Sequence, residues 1–114
     1  MKKISKELIG TSTIPIILSV LSKKESYGYE IIQRIKELSN GQIEWGEGTI
    51  YPVLHKLEKK GYITSSWKTS GSGRKRKYYN INIKGEQKLV SEKENWTVIH
   101  QLILKLWNIE PNLI

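Results

Sequence analysis

The chain has 114 residues with a hydrophobic content of 38%, a formal net charge of +8 at pH 7 and a pI near 9.7. A chain of this length is expected to form one domain, and its basic excess favours polyanionic partners such as nucleic acid. Because it contains no cysteine, disulfide bonds, thiolate metal sites and a cysteine nucleophile are excluded, and a reducing cytoplasm suits it.

The most apolar stretch runs from Ile14 to Leu21 and is far shorter than the roughly 18–20 residues that a membrane-spanning helix needs. Lys2 and Lys3 resemble the basic start of a signal peptide, but no small-residue cleavage site follows them. We therefore expect a soluble, cytoplasmic protein whose mature form begins at residue 1.

Two helices are predicted in the N-terminal part. Pro15 either lies in the first turn of a helix that begins near Ser12 or bends an earlier helix. A second helix begins near Tyr27 and ends at Ser39-Asn40-Gly41, with Gly41 in the left-handed conformation. Its spacing predicts a buried face of Ile31, Ile32, Ile35 and Leu38. Solvated faces are expected for Glu25, Glu30 and Glu37.

A third helix is predicted from Gly48 to Lys60, with Gly61 as its stop and Pro52 in its first turn, where the missing N–H costs nothing. The inward face is formed by Ile50, Val53, Leu54 and Leu57. The outer face is polar and basic and consists of Thr49, Tyr51, His55, Lys56 and Lys59. A major groove accepts such a face, but an ordinary solvated helix has the same pattern, and this helix alone does not decide between them.

Two short strands are predicted next, Tyr62 to Lys68 and Lys77 to Ile83. The Gly/Ser-rich loop between them ends in four adjacent cations, Arg74-Lys75-Arg76-Lys77. Side chains alternate across a strand, so two cations should face each way, and one of Tyr78 and Tyr79 should enter the core. Because adjacent cations repel each other unless an anion neutralises them, and Gly73 permits close backbone approach, this hairpin favours DNA binding over a solvated loop.

A final long helix is predicted from Asn82, its capping residue. It places Leu89, Trp96, Ile99, Ile103 and Leu106 at heptad-like spacings. About 24 residues at 1.5 Å each give roughly 36 Å, which is longer than so small a body needs for its own packing. The fold class is therefore mainly α with a small β-hairpin (α+β): a winged helix-turn-helix over residues 1–83 and a dimerisation helix over residues 84–114, in one compact unit.

Three segments resemble the PadR family of bacterial transcriptional regulators: residues 26–31 (SYGYEI), residues 47–61 (EGTIYPVLHKLEKKG) and residues 73–79 (GRKRKYY). The single C-terminal helix is similar to that of a small subfamily with a multidrug-binding repressor from lactococci. The resemblance implies a homodimeric winged-helix repressor that binds a palindromic operator in double-stranded DNA. It assigns Thr49, Tyr51 and Lys56 to the recognition helix and Gly73, Arg74 and Arg76 to the wing.

The sequence departs from the family pattern at two positions. Pro15 interrupts the first helix, and Ile83 stands where the family often has a capping threonine. Neither position belongs to the DNA-facing motifs, but Pro15 affects how the first helix meets a partner subunit.

Two interpretations of Trp96 stay open. It fills the seam of a dimer, or it stacks with its symmetry mate on a planar aromatic ligand, as the resemblance implies. The expected ligand-binding residues are Trp96, Glu92, Ile99, His100 and Ile103, and the expected dimer interface is Leu89, Trp96, Ile99, Ile103 and Leu106. The remaining tryptophans, Trp45, Trp67 and Trp107, are assigned to packing.

No catalytic constellation is found. His55 and His100 are the only histidines, the chain lacks aspartate, and Gly71-Ser72-Gly73 precedes a strand and not the helix that a phosphate loop requires. We expect no enzyme activity, cofactor or metal. Two other functions stay open: a sensor of multidrug or aromatic compounds, and a winged helix that docks on protein or RNA without operator specificity.

The positive charge is distributed unevenly. Residues 45–83 carry eight cations and two glutamates, a net charge of +6, whereas residues 84–114 carry four cations and four glutamates. The excess lies on the predicted third helix and hairpin, which favours this part of the chain as the DNA-binding surface.

Overall fold

The computed structural model describes residues 10–109. Four α-helices and three β-strands have their bounds within that range. In chain order they are α1 (Thr13–Lys23), β1 (Ser26–Tyr27), α2 (Gly28–Leu38), α3 (Glu47–Lys59), β2 (Ile63–Thr69), β3 (Lys75–Ile81) and α4 (Ile83–Leu106). The predicted α+β winged helix-turn-helix is confirmed.

Helix α1 begins after Ser12, so Pro15 is its third residue and lies in the first turn, where it removes no helical hydrogen bond. The predicted alternative, an earlier helix bent at Pro15, concerns mainly residues that lie outside the described range. Helix α1 contributes Ile17, Leu18 and Leu21 to the core.

Helix α2 begins and ends where the sequence predicts. Asn40 and Gly41 after it both have left-handed φ angles, of 53° and 80°. The prediction that Leu38 is buried is wrong, since its side chain is 66% exposed. Leu38 is the last residue of α2, and its side chain lines a groove between α1, α2 and α4.

The sheet is antiparallel, with the strand order β1-β3-β2. The two-residue strand β1 was not predicted, and β3 begins two residues earlier than predicted, at Lys75. Lys75 pairs with Thr69, and a tight turn closed by the Ser70 N–H on the Arg74 carbonyl oxygen at 2.8 Å joins the strands. Part of the basic run therefore belongs to a strand and has fixed directions.

The core lies between the helices and one face of the sheet. Its fully buried members include Ile17, Leu18, Ile31, Ile50, Leu54, Leu57 and Ile63. Trp45, in the loop before α3, is buried as predicted. Tyr79 enters the core while Tyr78 lies on the opposite sheet face, which confirms the prediction that only one of the two does so.

Helix α4 begins at a junction built by Asn82, as predicted. The Asn82 side chain accepts a hydrogen bond from the Gly85 N–H and donates one to the Gly61 carbonyl oxygen, both at 2.8 Å. The prediction of a strand up to Ile83 is wrong, because Ile83 is already the first residue of the helix. With this long helix, the described part of the chain measures 53 × 34 × 23 Å.

None of the helices between residues 10 and 109 is both long enough and apolar enough to cross a membrane.

Candidate nucleic-acid interface

Helix α3 presents the predicted polar face to solvent. Tyr51, His55, Lys56 and Lys59 are exposed, and Thr49 is half-buried in the first turn. Tyr51 is anchored against the start of α2, because a β-carbon placed on Gly28 would lie 2.7 Å from its ring and hydroxyl. Glycine at that position therefore lets α2 and α3 approach closely, which fixes how α3 is presented.

The hairpin register distributes the basic run over both sheet faces, as alternation predicts. Lys75 and Lys77 point to the face that packs on the helices, since they occupy alternate positions along the strand with the buried Tyr79. Arg76 points to the other face, opposite Lys68. Gly73 has φ 82° in the turn, and Arg74 beside it is exposed.

Lys77 differs from its neighbours because it is already paired. Its ammonium lies 3.6 Å from a carboxylate oxygen of Glu58 on α3. The hydroxyl of Ser65 on β2 also donates a hydrogen bond to Glu58. These contacts tie α3 to the hairpin, so the two predicted DNA-binding elements form one connected surface.

Arg76 is held by a pair of aromatic rings on the outer sheet face. Its guanidinium lies 4.3 Å from the centroid of the Tyr27 ring, which meets Tyr78 edge-on at 5.3 Å. Lys68 lies over the second ring of this pair, 5.5 Å from the Tyr78 centroid. Cations over aromatic faces are attracted by the ring quadrupole, so Arg76 is restrained before any ligand arrives.

Two glutamates expected on solvated faces have specific contacts. Glu25 pairs with Lys68 and accepts a hydrogen bond from the Asn80 amide at 3.0 Å, and these contacts hold the pKa of the Glu25 carboxyl below its usual range. Glu30 lies 3.5 Å from the ammonium of Lys24, and its Oε1 is buried without a hydrogen-bond partner within residues 10–109. Both side chains are half-buried and keep part of their surface in solvent, while Glu37 is exposed as expected.

The assignment of Trp67 and Trp107 to packing is also wrong, since each is 68% exposed. Trp67 lies on the hairpin beyond the part of the sheet that the helices cover, and Trp107 follows the last residue of α4. The signal available in the sequence was the position of Trp67 next to Lys68 and close to the basic loop, an aromatic residue interleaved with cations.

A groove of about 620 Å³ lies between α1, α2 and α4. Of the predicted ligand-binding residues, it brings together Trp96 and Glu92, together with Leu38 and apolar residues of α1. Ile99, His100 and Ile103 lie further along α4 and do not line it. Within one chain, therefore, only part of the predicted pocket is assembled.

The second half of α4 exposes an apolar surface. Its exposed members are Val98, Ile99, Leu102 and Leu106, and the exposed Trp107 and Ile109 follow the helix. Leu89, predicted at the dimer interface, is instead buried in the chain's own core, because it lies on the first half of α4 against the helices. Trp96 and Ile103 are half-buried. The described chain thus leaves an apolar helix face uncovered, as a partner subunit requires.

Within residues 10–109 no group of three or more His or Glu side chains is placed to hold a metal ion.

Comparisons with known proteins agree with this geometry. The model of the transcriptional regulator PadR-like family matches residues 17–91. A negative transcriptional regulator PadR from Bacillus subtilis is 36% identical over 89 residues, which are 76% of this chain and 46% of that protein. A transcriptional regulator from Clostridium thermocellum has a similar structure, with a TM-score of 0.80, 33% identity, and coverage of 90% of this chain and 96% of that one. A PadR-like regulator from Bacillus cereus also has a TM-score of 0.80, at 31% identity over 91% of this chain and 99% of that one.

Proposed function

Because the chain belongs to the PadR-like family of transcriptional regulators, we propose that it is a cytoplasmic, homodimeric repressor that binds a palindromic operator in double-stranded DNA. Helix α3 would enter the major groove, and the hairpin would contact the backbone or minor groove, as in other winged helix-turn-helix proteins. Repression is supported by the name of the Bacillus subtilis relative, a negative transcriptional regulator.

One observation carries the proposal of DNA binding. Lys56, Lys59, Arg74 and Lys75 are exposed and make no ion pair with any residue between 10 and 109. They belong to the helix and hairpin that Glu58 joins, so their unneutralised charge lies on one connected surface. Cations without a carboxylate partner release counterions when they meet phosphates, which favours association with DNA.

The test of this function is a gel shift with DNA from upstream of the gene that encodes the chain. A palindromic duplex is expected to stay bound when random-sequence duplex and RNA are added as competitors. Equal competition by random duplex would contradict operator binding and favour a winged helix without operator specificity. Stronger competition by RNA than by random duplex would favour RNA as the partner of the chain.

Dimerisation through α4 is supported by the uncovered apolar face. Ile99 and Leu106 are seven residues apart and are 47% and 70% exposed, so they face one side of the helix. Two copies of this face would bury each other and set the distance between the two recognition helices. About 34 Å, one turn of B-DNA, would bring them to adjacent major grooves.

We expect the double variant Ile99→Glu/Leu106→Glu to sediment as a monomer under conditions where the parent protein is a dimer, because each charge would be buried unpaired at the seam. The control is Gln101→Glu, which adds a charge to the opposite side of the same helix and should stay dimeric. A monomeric parent, or a double variant that sediments as a dimer, would contradict the assignment.

Relief by a small aromatic ligand is the second part of the proposal. The groove beside Trp96 has the volume typical of ligand pockets, which is about 300–1,000 Å³. A second α4 that closes it would bring Ile99, His100 and Ile103 to its wall. A ligand there releases the operator only if it favours one dimer geometry over another, by about 1–3 kcal/mol.

We expect the planar cationic dye proflavine, added without DNA, to quench the fluorescence that Trp96 contributes, both in the parent and in Trp107→Ala. The variant Trp96→Ala should therefore lose the quenching. Undiminished quenching in Trp96→Ala would mean that this tryptophan only packs. A tight dye complex together with no operator binding would favour the alternative of an aromatic-compound sensor.

A further inference from the structure

Trp67 is an exposed aromatic residue on the hairpin that takes no part in the ion pairs and ring contacts around it. On β2 it lies on the same face as Ser65, whose hydroxyl donates to Glu58 of α3. Its cross-strand partner is Lys77, which also reaches Glu58. This face is therefore turned towards the recognition helix.

The helix does not extend far enough to cover the indole. Ser65, two residues earlier, contacts α3 through Glu58, whereas Trp67 is 68% exposed. It thus lies beyond the Ser65–Glu58 contact, on the hairpin face that is turned towards α3. Burial of a large apolar ring is favourable because its surface is removed from water, and an exposed ring gains this free energy only when a partner covers it.

The charge around Trp67 defines the chemistry of that partner. Lys75 lies further along the same sheet face as Trp67 and makes no ion pair within residues 10–109. Lys77, opposite Trp67, is paired with Glu58. Residues 45–83 as a whole carry a net charge of +6. An apolar ring beside an unpaired cation, on a segment of net positive charge, matches a surface on which apolar groups alternate with anions, which is the sugar-phosphate backbone of DNA.

We propose that Trp67 packs against a deoxyribose of the DNA strand that passes between α3 and the hairpin, while Lys75 contacts a neighbouring phosphate. The inference rests on the proposed DNA binding and adds an uncharged contact to it. Since every nucleotide carries the same sugar, Trp67 would contribute affinity for duplex DNA of any sequence. Its role is to position the backbone between the two elements.

The loss of an apolar contact and the loss of a cation–phosphate contact change the salt dependence of DNA binding differently. Removing a Lys or Arg that meets a phosphate lowers the slope of log affinity against log salt, because fewer counterions are released. Removing an indole that meets a sugar lowers the affinity and leaves that slope unchanged. The salt dependence therefore separates this role of Trp67 from an indirect effect on the neighbouring lysines.

The first experiment titrates a fluorescein-labelled random-sequence duplex with the parent, Trp67→Ala and Ser66→Ala at several salt concentrations. Ser66 lies on the same strand and faces the other way, opposite Tyr78. We expect Trp67→Ala to bind about 10–100-fold more weakly with an unchanged slope, a loss comparable to that of other aromatic contacts with nucleic acid. Ser66→Ala should bind as the parent does.

A second experiment measures the accessibility of the ring itself. Trp67 is 68% exposed, so acrylamide should quench its fluorescence in the free protein. Adding the same duplex should protect part of the fluorescence in the parent and in Trp107→Phe. That protection should disappear in Trp67→Phe, where Trp45, Trp96 and Trp107 remain.

Three outcomes overturn the inference. Trp67→Ala binds within twofold of the parent, or its salt slope falls with its affinity, or the protection persists in Trp67→Phe. In each of these cases the parent still binds DNA, so the proposed function stands while the role of Trp67 does not. A parent protein that binds no duplex at all would contradict both.

Discussion

The double variant Arg74→Ala/Lys75→Ala is expected to bind duplex DNA on the order of 10–100-fold more weakly than the parent, because it removes unneutralised cations from the hairpin. Lys68 and Lys77 already pair with glutamates, and Arg76 stacks on Tyr27. Arg74 and Lys75 have no such partners among residues 10–109, so they are free to meet phosphates. The slope of log affinity against log salt should fall by about 1.8 per protomer, since each phosphate contact contributes about 0.9.

The matched control for the hairpin is Arg34→Ala/Lys105→Ala. It removes the same charge from exposed positions of α2 and α4 that make no ion pair within residues 10–109 and take no part in the hairpin. Affinity and slope, measured by fluorescence anisotropy at several salt concentrations, should stay close to those of the parent. If both double variants weaken binding equally, the effect is one of net charge, and if neither does, the basic run is a solvated surface.

Gly85→Ala is expected to lower the free energy of unfolding by about 1–3 kcal/mol or more, because the site has no room for a methyl group. A β-carbon there would lie 2.1 Å from the Tyr62 carbonyl oxygen and 2.7 Å from Cγ1 of Ile81. The Tyr62 carbonyl oxygen accepts a hydrogen bond from the Asn82 N–H at 3.2 Å, and the Tyr62 N–H donates to the Leu57 carbonyl oxygen of α3 at 3.0 Å. A shift at Gly85 would therefore move α4 relative to α3.

Gly48→Ala is the control for this substitution. Gly48 lies in the first turn of α3 with no atom within 4 Å of an added β-carbon. Alanine there should stabilise the protein by about 0.5–1 kcal/mol through helix propensity. Urea unfolding at one protein concentration measures both variants. If the urea midpoint of Gly85→Ala equals that of the parent, the close packing between α3, β2 and α4 at this glycine is contradicted.

The features that the sequence predicts correctly are set by local chemistry. Pro15 in a first turn, left-handed Gly41 and Gly61 after helices, and Asn82 as an N-cap each depend on a few neighbouring residues. The spacing of apolar residues then predicts which face of each helix is buried. The resemblance to PadR regulators is confirmed by the family model, and since this family consists of transcriptional regulators, the prediction that the chain is not an enzyme is confirmed as well.

The features that sequence reasoning misses depend on residues far apart in the chain. Strand β1 exists because Ser26 and Tyr27 pair with β3, and Glu25 is restrained by Lys68 and Asn80, which are 43 and 55 residues away. Hydropathy places a tryptophan inside, yet Trp67 is exposed because the hairpin extends past the helices. No local pattern in the sequence specifies how much of the hairpin the helices cover.

The candidate DNA-binding site also combines features that the sequence predicts with features that it does not. The basic run and its alternation across the strand follow from composition and strand geometry. The pairing of Lys77 with Glu58 does not, because it requires the relative position of α3 and the hairpin. The sequence predicts only that the hairpin as a whole binds phosphates. The structure shows that Arg76 and Lys77 already have partners, so Arg74 and Lys75 are the cations that are available to bind phosphates.

Selection of bound duplexes from a random-sequence pool tests the central claim most directly, since the protein itself chooses its site from all possible sequences. Two copies held together by α4 are expected to enrich an inverted repeat whose half-sites are about one helical turn, or 10–10.5 base pairs, apart from centre to centre. Enrichment of a single, unrepeated site would contradict the dimeric geometry. A pool that is bound but never enriched would contradict operator recognition altogether.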